Sequence, residues 1–324
     1  MVDAQGRGVS ATVTFSIEVE LGWGVIQYDN LDVLSQGRKA ETEALERLLE
    51  LCDELRIPMT FNVVGHLLRH NPLVTYDASH EDGWFDDIPK TGPENAPEFY
   101  APGLVERIQE SSVDHEICTH TFTHVECANV TNETLQWEFD KVLEAHEDFG
   151  LDRPVSLVPP RHSPPPRDIL KEYGIEIVRS PRKRHSESQE APNRVRLAWE
   201  ILTGNQPIKR PRMVDDIIET YCTSFPSLTA PFLQSGQRKP HPVFRVIPKI
   251  VRRRLHRHNL NKSLTAAIER DSNIHIWTHL WETANGVQWP LIRSFLRRIS
   301  ESKTKEQIQI KNMKELNSEL RHSR

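Results

Sequence analysis

The sequence predicts an α/β fold with a parallel sheet, open or closed into a barrel. Short β-branched and apolar runs alternate with helix-period segments from residue 10 to about residue 180, the pattern of repeated βα units. The alternation resumes after residue 272. With 324 residues and 37% hydrophobic side chains the chain can bury a sizeable core, yet no apolar run approaches the ~18 residues of a membrane span. The same composition excludes a wholly disordered chain, a collagen and a coiled-coil rod.

Residues 10–17 are β-branched and apolar and are expected to form a buried first strand. Leu45, Leu48, Leu49, Cys52 and Leu55 recur at helical spacing over 40–56, and Pro58 stops that helix. Met59–Val64 is the second expected strand, and the Asp-, Gly- and Pro-rich stretch 70–100 a long loop. A helix over Leu104–Gln109 and a strand over Glu116–Thr119 follow. Thr131 is placed to cap a helix reaching Phe149. Val155–Val158 is a strand, and a proline-dense turn runs on to Pro166. A short helix over Asp168–Tyr173 ends at Gly174, and Ile175–Val178 is the next strand. Residues 181–272, rich in Pro, Arg and Ser, break the rhythm and are expected to be a basic insertion in a single 1–324 domain, with helical patches at 195–202 and 246–257. The tail adds a strand over Asn273–Trp277, a helix near Pro290–Ile299, a strand near Gln307–Ile310 and a last helix through Met313, Leu316 and Leu320.

Residues 1–160 carry 10 Lys+Arg against 30 Asp+Glu, whereas 161–324 carry 31 against 16. Between Arg238 and Lys262 there are nine basic residues and no acid. Such asymmetry suits an anionic partner, a phosphate, a membrane surface or nucleic acid, or mutual neutralisation of the halves in one fold. The four cysteines form no CxxC pair, and Met1–Arg7 contains no apolar stretch of the secretory kind. A reduced, cytoplasmic protein is the expectation.

Four constellations could carry chemistry. Glu18 and Glu20 share one face at the end of the first strand. Two like charges that close raise one pKa or bind a cation, unless they only form a solvated edge. His120 and His124 stand four apart, a spacing that at a helix entrance lets two imidazoles grip one metal. Cys118 and Cys127 flank them, so a structural Cys₂His₂ site competes, in a more crowded spacing than zinc fingers use. Arg161, in a rigid proline frame, could orient a carboxylate, or be a surface arginine in a stiff loop. His275, Trp277 and His279 share a strand face, with His279 at its end as a candidate general acid or a core histidine. Trp84, Phe85, Phe99 and Tyr100 in the long loop either line a sugar cleft or pack on the barrel.

Taken in order, these motifs resemble those of the polysaccharide deacetylases of the NodB-homology group, carbohydrate esterase family 4, with the overall character of an intracellular archaeal branch. The resemblance runs from residue 18 to residue 279, and His120-Thr121-Phe122-Thr123-His124 is its most specific part. It implies a distorted (β/α) barrel of about seven strands. It implies a divalent metal, commonly Zn2+, held by Glu20, His120 and His124, with Glu18 as general base, His279 as general acid and Arg161 holding Glu18. The implied activity is removal of the N-acetyl group from an amino sugar in a cytoplasmic nucleotide- or lipid-linked glycan precursor. Phosphate on the substrate, or peripheral membrane contact, would give the basic stretch 238–262 a role; nucleic acid is not expected, since no recognition motif accompanies the charge. Both first-motif acids are Glu where the family has Asp, and its later Asp has no clear counterpart, Asp215 and Asp216 lying in the right stretch. The competing readings are a hydrolase of another non-peptide C–N bond and a non-catalytic carbohydrate-binding protein on a degenerate deacetylase scaffold.

Overall fold

The computed structural model describes residues 11–26, 30–72, 76–181, 203–204, 208–222 and 227–322. Its strands are β1 (Thr12–Val19), β2 (Thr60–Val63), β3 (Glu116–Thr119), β4 (Ser156–Leu157), β5 (Ile177–Ser180), β6 (Arg212–Val214), β7 (Ile217–Tyr221), β8 (Asn273–His279) and β9 (Gln309–Ile310). They form one sheet in the order β6-β7-β5-β4-β3-β2-β1-β8, with β9 added to the start of β1. Pairing is parallel throughout except for the β6–β7 hairpin. Cys222, just past β7, bridges to His275 of β8, so the sheet curls until its ends meet. Seven parallel strands make that curl, as expected for a distorted (β/α) barrel; β6 and β9 are short additions.

The sequence of β1 explains its place at the centre. All eight of its residues are buried, as in a parallel strand covered on both faces. Odd-numbered Val13, Phe15, Ile17 and Val19 belong to the main hydrophobic cluster, and Phe15 meets Phe295 of the helix Trp289–Thr304 edge-on at 6.5 Å. The even-numbered side chains turn into the curl. There Asn273 donates to Thr14 Oγ1 at 3.2 Å, and the Ser16 hydroxyl is shared by Arg179 and His275, each at 2.9 Å. The interior is therefore polar, and Thr14 and Ser16 are held in it by partners on other strands.

The helix Lys39–Leu55 buries Leu45, Leu48, Leu49 and Cys52 as their spacing predicts. The helix Asn132–Asp148 starts where expected, with the Thr131 hydroxyl accepting from the Thr134 amide at 3.1 Å. Two expectations are corrected. The strand placed at 175–178 lies two residues later, at Ile177–Ser180, with all four residues buried. The stretch 181–272 is not wholly an insertion, since β6 and β7 extend the sheet and the helix Lys249–Glu269 buries His256, Leu260 and Leu264. Its charge disguised the β-branched pattern of a barrel strand. The helical patch expected at 195–202 lies outside the described residues.

Candidate active site

The C-terminal ends of β1, β3, β5 and β8 converge, where parallel α/β sheets gather chemistry. The register of β1 against β8 sets Glu18 beside His279. Both Glu18 and Glu20 are 4% exposed. One imidazole serves both: His279 Nε2 is 3.0 Å from Glu18 and 3.5 Å from Glu20.

Burial alone would push the Glu18 carboxyl up, but the guanidinium of Arg179 and the imidazole of His279 outweigh it and hold it well below the usual range. Arg179, itself buried, pairs with Glu18 through Nη2, bonds Ser16 through Nη1 and lies over the Trp277 ring at 5.0 Å. For His279, burial favours the neutral ring, yet the carboxylates of Glu20, Glu18 and Glu282 override it and raise its pKa well above 6.5. Glu282 stands 3.4 Å from His279 Nδ1 and accepts from Thr229 and Thr278 at 2.8 and 2.9 Å.

His120 and His124 follow β3 on a turn rather than a helix. Thr121 and His124 adopt left-handed backbone, with φ of 60° and 63°, conformations that hold only when the surroundings impose them. Glu138, fully buried on the helix Asn132–Asp148, imposes this one. It accepts the Phe122 and Thr123 amides at 2.7 and 2.8 Å, the Thr123 hydroxyl, and His80 at 2.9 Å. Trp84 from the long loop donates to Thr123 Oγ1 at 3.1 Å. The two rings end 5.0 Å apart, with His124 Nε2 3.0 Å and His120 Nε2 3.5 Å from Glu20.

These three side chains fit a divalent metal. Nδ1 of His120 lies 2.5 Å from the Val158 carbonyl, to which it can only donate, so Nε2 carries the lone pair. That Nε2 is buried with no hydrogen-bond partner among the described residues. The ligand atoms of Glu20, His120 and His124 lie within 4.8 Å of one another, and two imidazoles with one carboxylate are a donor set for zinc-like ions. The extra methylene of Glu20 over Asp is housed by Gly24, where a Cβ would lie 2.1 Å from the Glu20 Cδ. The cysteines take no part: Cys118 and Cys127 are free, buried thiols.

The cleft over this centre has a volume of about 300 Å³ and is lined by Glu18, Glu20, His124, His279, Trp277 and Trp281, with Arg161 and Arg238. Among the described residues, no contact of Arg161 with Glu18 is seen. Arg161 follows two prolines in a left-handed conformation, φ 51°, and its guanidinium pairs with Glu126 at 2.6 Å. Arg179 does the holding, and ending its strand at Val178 concealed it. The cleft aromatics are Trp277 and Trp281, whereas Phe99 and Tyr100 of the long loop are buried in the core. The acid that stands against His279 Nδ1 is Glu282, three residues beyond it; Asp215 instead pairs with Arg167.

Residues 26–178 match the polysaccharide deacetylase family model. No curated protein matches the chain by sequence. Among solved structures, the chain is similar to a Mycobacterium smegmatis protein assigned as a polysaccharide deacetylase, at 14% identity over 99% of this chain and 93% of the other, with a TM-score of 0.62. It is also similar to a Pseudomonas aeruginosa PAO1 protein assigned likewise, at 12% identity over 96% and 90%, with a TM-score of 0.55. The allantoinase Puue aligns at 12% identity over 97% and 91%, with a TM-score of 0.53. These likenesses share the curled sheet, and the match of residues 26–178 to the polysaccharide deacetylase model supports a hydrolase acting on carbon–nitrogen bonds.

Proposed function

We propose that the protein is a metal-dependent deacetylase that removes the N-acetyl group of an amino sugar, within a phosphate- or lipid-linked glycan. One observation carries the reading. A buried carboxylate–imidazole–imidazole set with an unpartnered ring nitrogen sits beside a second carboxylate that shares an imidazole with it, all on one cleft. A divalent metal, Zn2+ by its donor set, would be held by Glu20, His120 and His124 and would supply Lewis acidity toward the amide oxygen and a water of lowered pKa.

The chain's own residues supply the rest. Glu18, kept ionised by Arg179, is the acceptor for the proton of the attacking water. Arg179 also fixes the orientation of that carboxylate, since Ser16 and the Trp277 face hold the guanidinium in turn. His279 carries a proton at neutral pH and donates it from Nε2 to the departing amine. Glu282 keeps that ring charged and oriented from the other side. Trp277 and Trp281 offer flat faces to a sugar ring, and Arg238 at the cleft wall suits an anionic substituent.

Elemental analysis of the purified protein and of His120→Ala/His124→Ala tests the reading. About one zinc or similar ion per chain, lost in the double variant, with acetate released from N-acetylated sugars by the native protein alone, is the expected result. No metal in the native protein even after adding zinc would sink the mechanism. Metal without acetate release, but with hydrolysis of another amide or ureide, would move the protein to a different C–N substrate.

A further inference from the structure

We infer that residues 237–257 form a docking surface for an anionic lipid bilayer. This goes beyond the reading of the cleft and does not depend on its chemistry. Six large hydrophobic side chains are exposed among the described residues, and five of them fall here: Val243 (63%), Val246 (84%), Ile247 (38%), Ile250 (61%) and Val251 (47%). They fall within nine consecutive positions, 243 to 251. They span a break: Val243 lies on the short helix Pro242–Arg245, Val246 and Ile247 in the connection before Pro248, and Ile250 and Val251 on the first turn of Lys249–Glu269.

This knuckle projects from a rigid mount. Residues 237–251 are exposed except Pro240 and Phe244, which are half-buried. Phe244 packs on Phe232 at 5.9 Å, and Arg252 donates to the Phe232 and Ile247 carbonyls. The distal half of the long helix is buried through His256, Leu260, Leu264 and Ala267. The apolar residues are thus displayed by the fold rather than left over by a frayed end.

The charge decides the occupant. No Asp or Glu occurs between Glu219 and Glu269. Arg238, Lys239, Arg245, Lys249, Arg254 and Arg257 are exposed among the aliphatic residues. A protein-binding patch gathers its apolar residues into a core depleted of charge and enriched in aromatics. Here cations and branched aliphatics interleave, with no aromatic among the exposed large hydrophobics. A second copy docked on the same patch would face cations with cations. Aliphatic tips that project from a knuckle ringed by Lys/Arg suit a bilayer surface instead, where the cations meet lipid phosphates while the apolar tips enter the acyl boundary. No described helix is long and apolar enough to cross a membrane, so the contact would be peripheral. Arg238 belongs to both this surface and the cleft wall, so a docked protein would hold its cleft next to the bilayer.

Co-sedimentation of the full chain with phosphatidylglycerol and with phosphatidylcholine vesicles tests this. Binding to the anionic vesicles, weakened by salt, and little to the zwitterionic ones is expected. Val246→Asp/Ile250→Asp should lower that affinity at least tenfold. Lys249→Glu/Arg254→Glu/Arg257→Glu should lower it on the order of a hundredfold, at about fivefold per charge, equivalent to about 1 kcal/mol. Both variants should keep the native melting temperature and the native rate on a soluble substrate, which separates a failure here from a failure of the deacetylase reading. Native protein that ignores phosphatidylglycerol, or variants that bind it as well as the native protein does, would overturn the inference. So would a dimer abolished by Val246→Asp/Ile250→Asp without vesicle binding.

Discussion

The two ends of the curled sheet each bury glutamate, and they treat it oppositely. At the C-terminal end, against the pull of burial, Arg179 and His279 hold Glu18, and His279, His120 and His124 hold Glu20, well below the usual carboxylate range. At the N-terminal end, Glu116 of β3 is 7% exposed and meets neutral donors only: the Thr60 hydroxyl at 2.8 Å, the Lys314 amide at 2.9 Å and the Ser156 hydroxyl. Burial outweighs them and pushes its pKa up. Similar burial thus gives opposite charge preference, and the partners decide. The Glu116 cluster is closed: Thr60 also accepts the Met313 amide at 2.8 Å, which fastens the last helix, Met313–His322, under the sheet. The Glu18–Glu20 cluster opens on a cleft and leaves a histidine nitrogen without a partner. Closure with neutral donors marks structure, and charge with an unfilled position marks chemistry.

The largest effect should come from taking the charge out of the open cluster. Glu18→Gln keeps the shape and removes the proton acceptor, so turnover should fall about 10²- to 10⁴-fold while metal content stays near native, and the melting temperature should drop because the buried Arg179 loses its carboxylate. Turnover within threefold of native would assign the base elsewhere. Arg179→Met should also be felt in the fold. It leaves a buried carboxylate without its cation, a loss of about 3–5 kcal/mol by urea denaturation, and Glu18→Gln added to it should restore part of that. The sign with pH follows from the lowered pKa of Glu18. Its contribution is present above the unfolded value near 4.5 and lost as pH falls through the depressed folded one. The Arg179→Met deficit should accordingly shrink in acid. A smaller effect is expected at Gly24. Alanine there would displace the Glu20 carboxylate and weaken zinc binding about 10- to 100-fold. Glu20→Asp in the same chain should recover much of it by withdrawing the carboxylate one methylene.

The open end was the more legible from sequence, because metal and acid–base chemistry demand particular residue types. Glu18, Glu20, His120, His124 and His279 all converge, although His120 and His124 meet through a left-handed turn held by Glu138 and not through helical spacing. The strand and helix periods gave the parallel sheet, and the family resemblance its closure into a curl of about seven strands. What escaped was of two kinds. Arg179 reaches Glu18 across the interior from a strand not adjacent to β1, 161 positions away, and no local pattern encodes such a contact. β6 and β7 lie in a basic stretch whose charge masks a buried Ile217-Ile218 core. Arg161 misled because a proline-framed arginine after a strand has the composition of an orienting residue, while its left-handed backbone turns it to Glu126.

The smallest effect belongs to the closed end, and it sharpens the contrast most directly. Glu116→Gln should change stability by about 1 kcal/mol or less, because the amide oxygen can still accept from Lys314 and the hydroxyls of Thr60 and Ser156 can rotate to meet the amide group. Activity and metal content should be unchanged. The pH dependence carries the information. A folded pKa raised above the unfolded value of 4.5 stabilises the protein below that value and loses the contribution as pH rises through the raised one. Glutamine does not titrate. The variant should therefore gain on the native protein as pH increases from about 4.5, the reverse of the trend at Glu18. Urea midpoints at pH 4.5, 6 and 8 for both proteins measure it. A variant that instead loses ground as pH rises would mean that Glu116 is held ionised like Glu18, and the distinction between the two ends would then rest on the cleft alone.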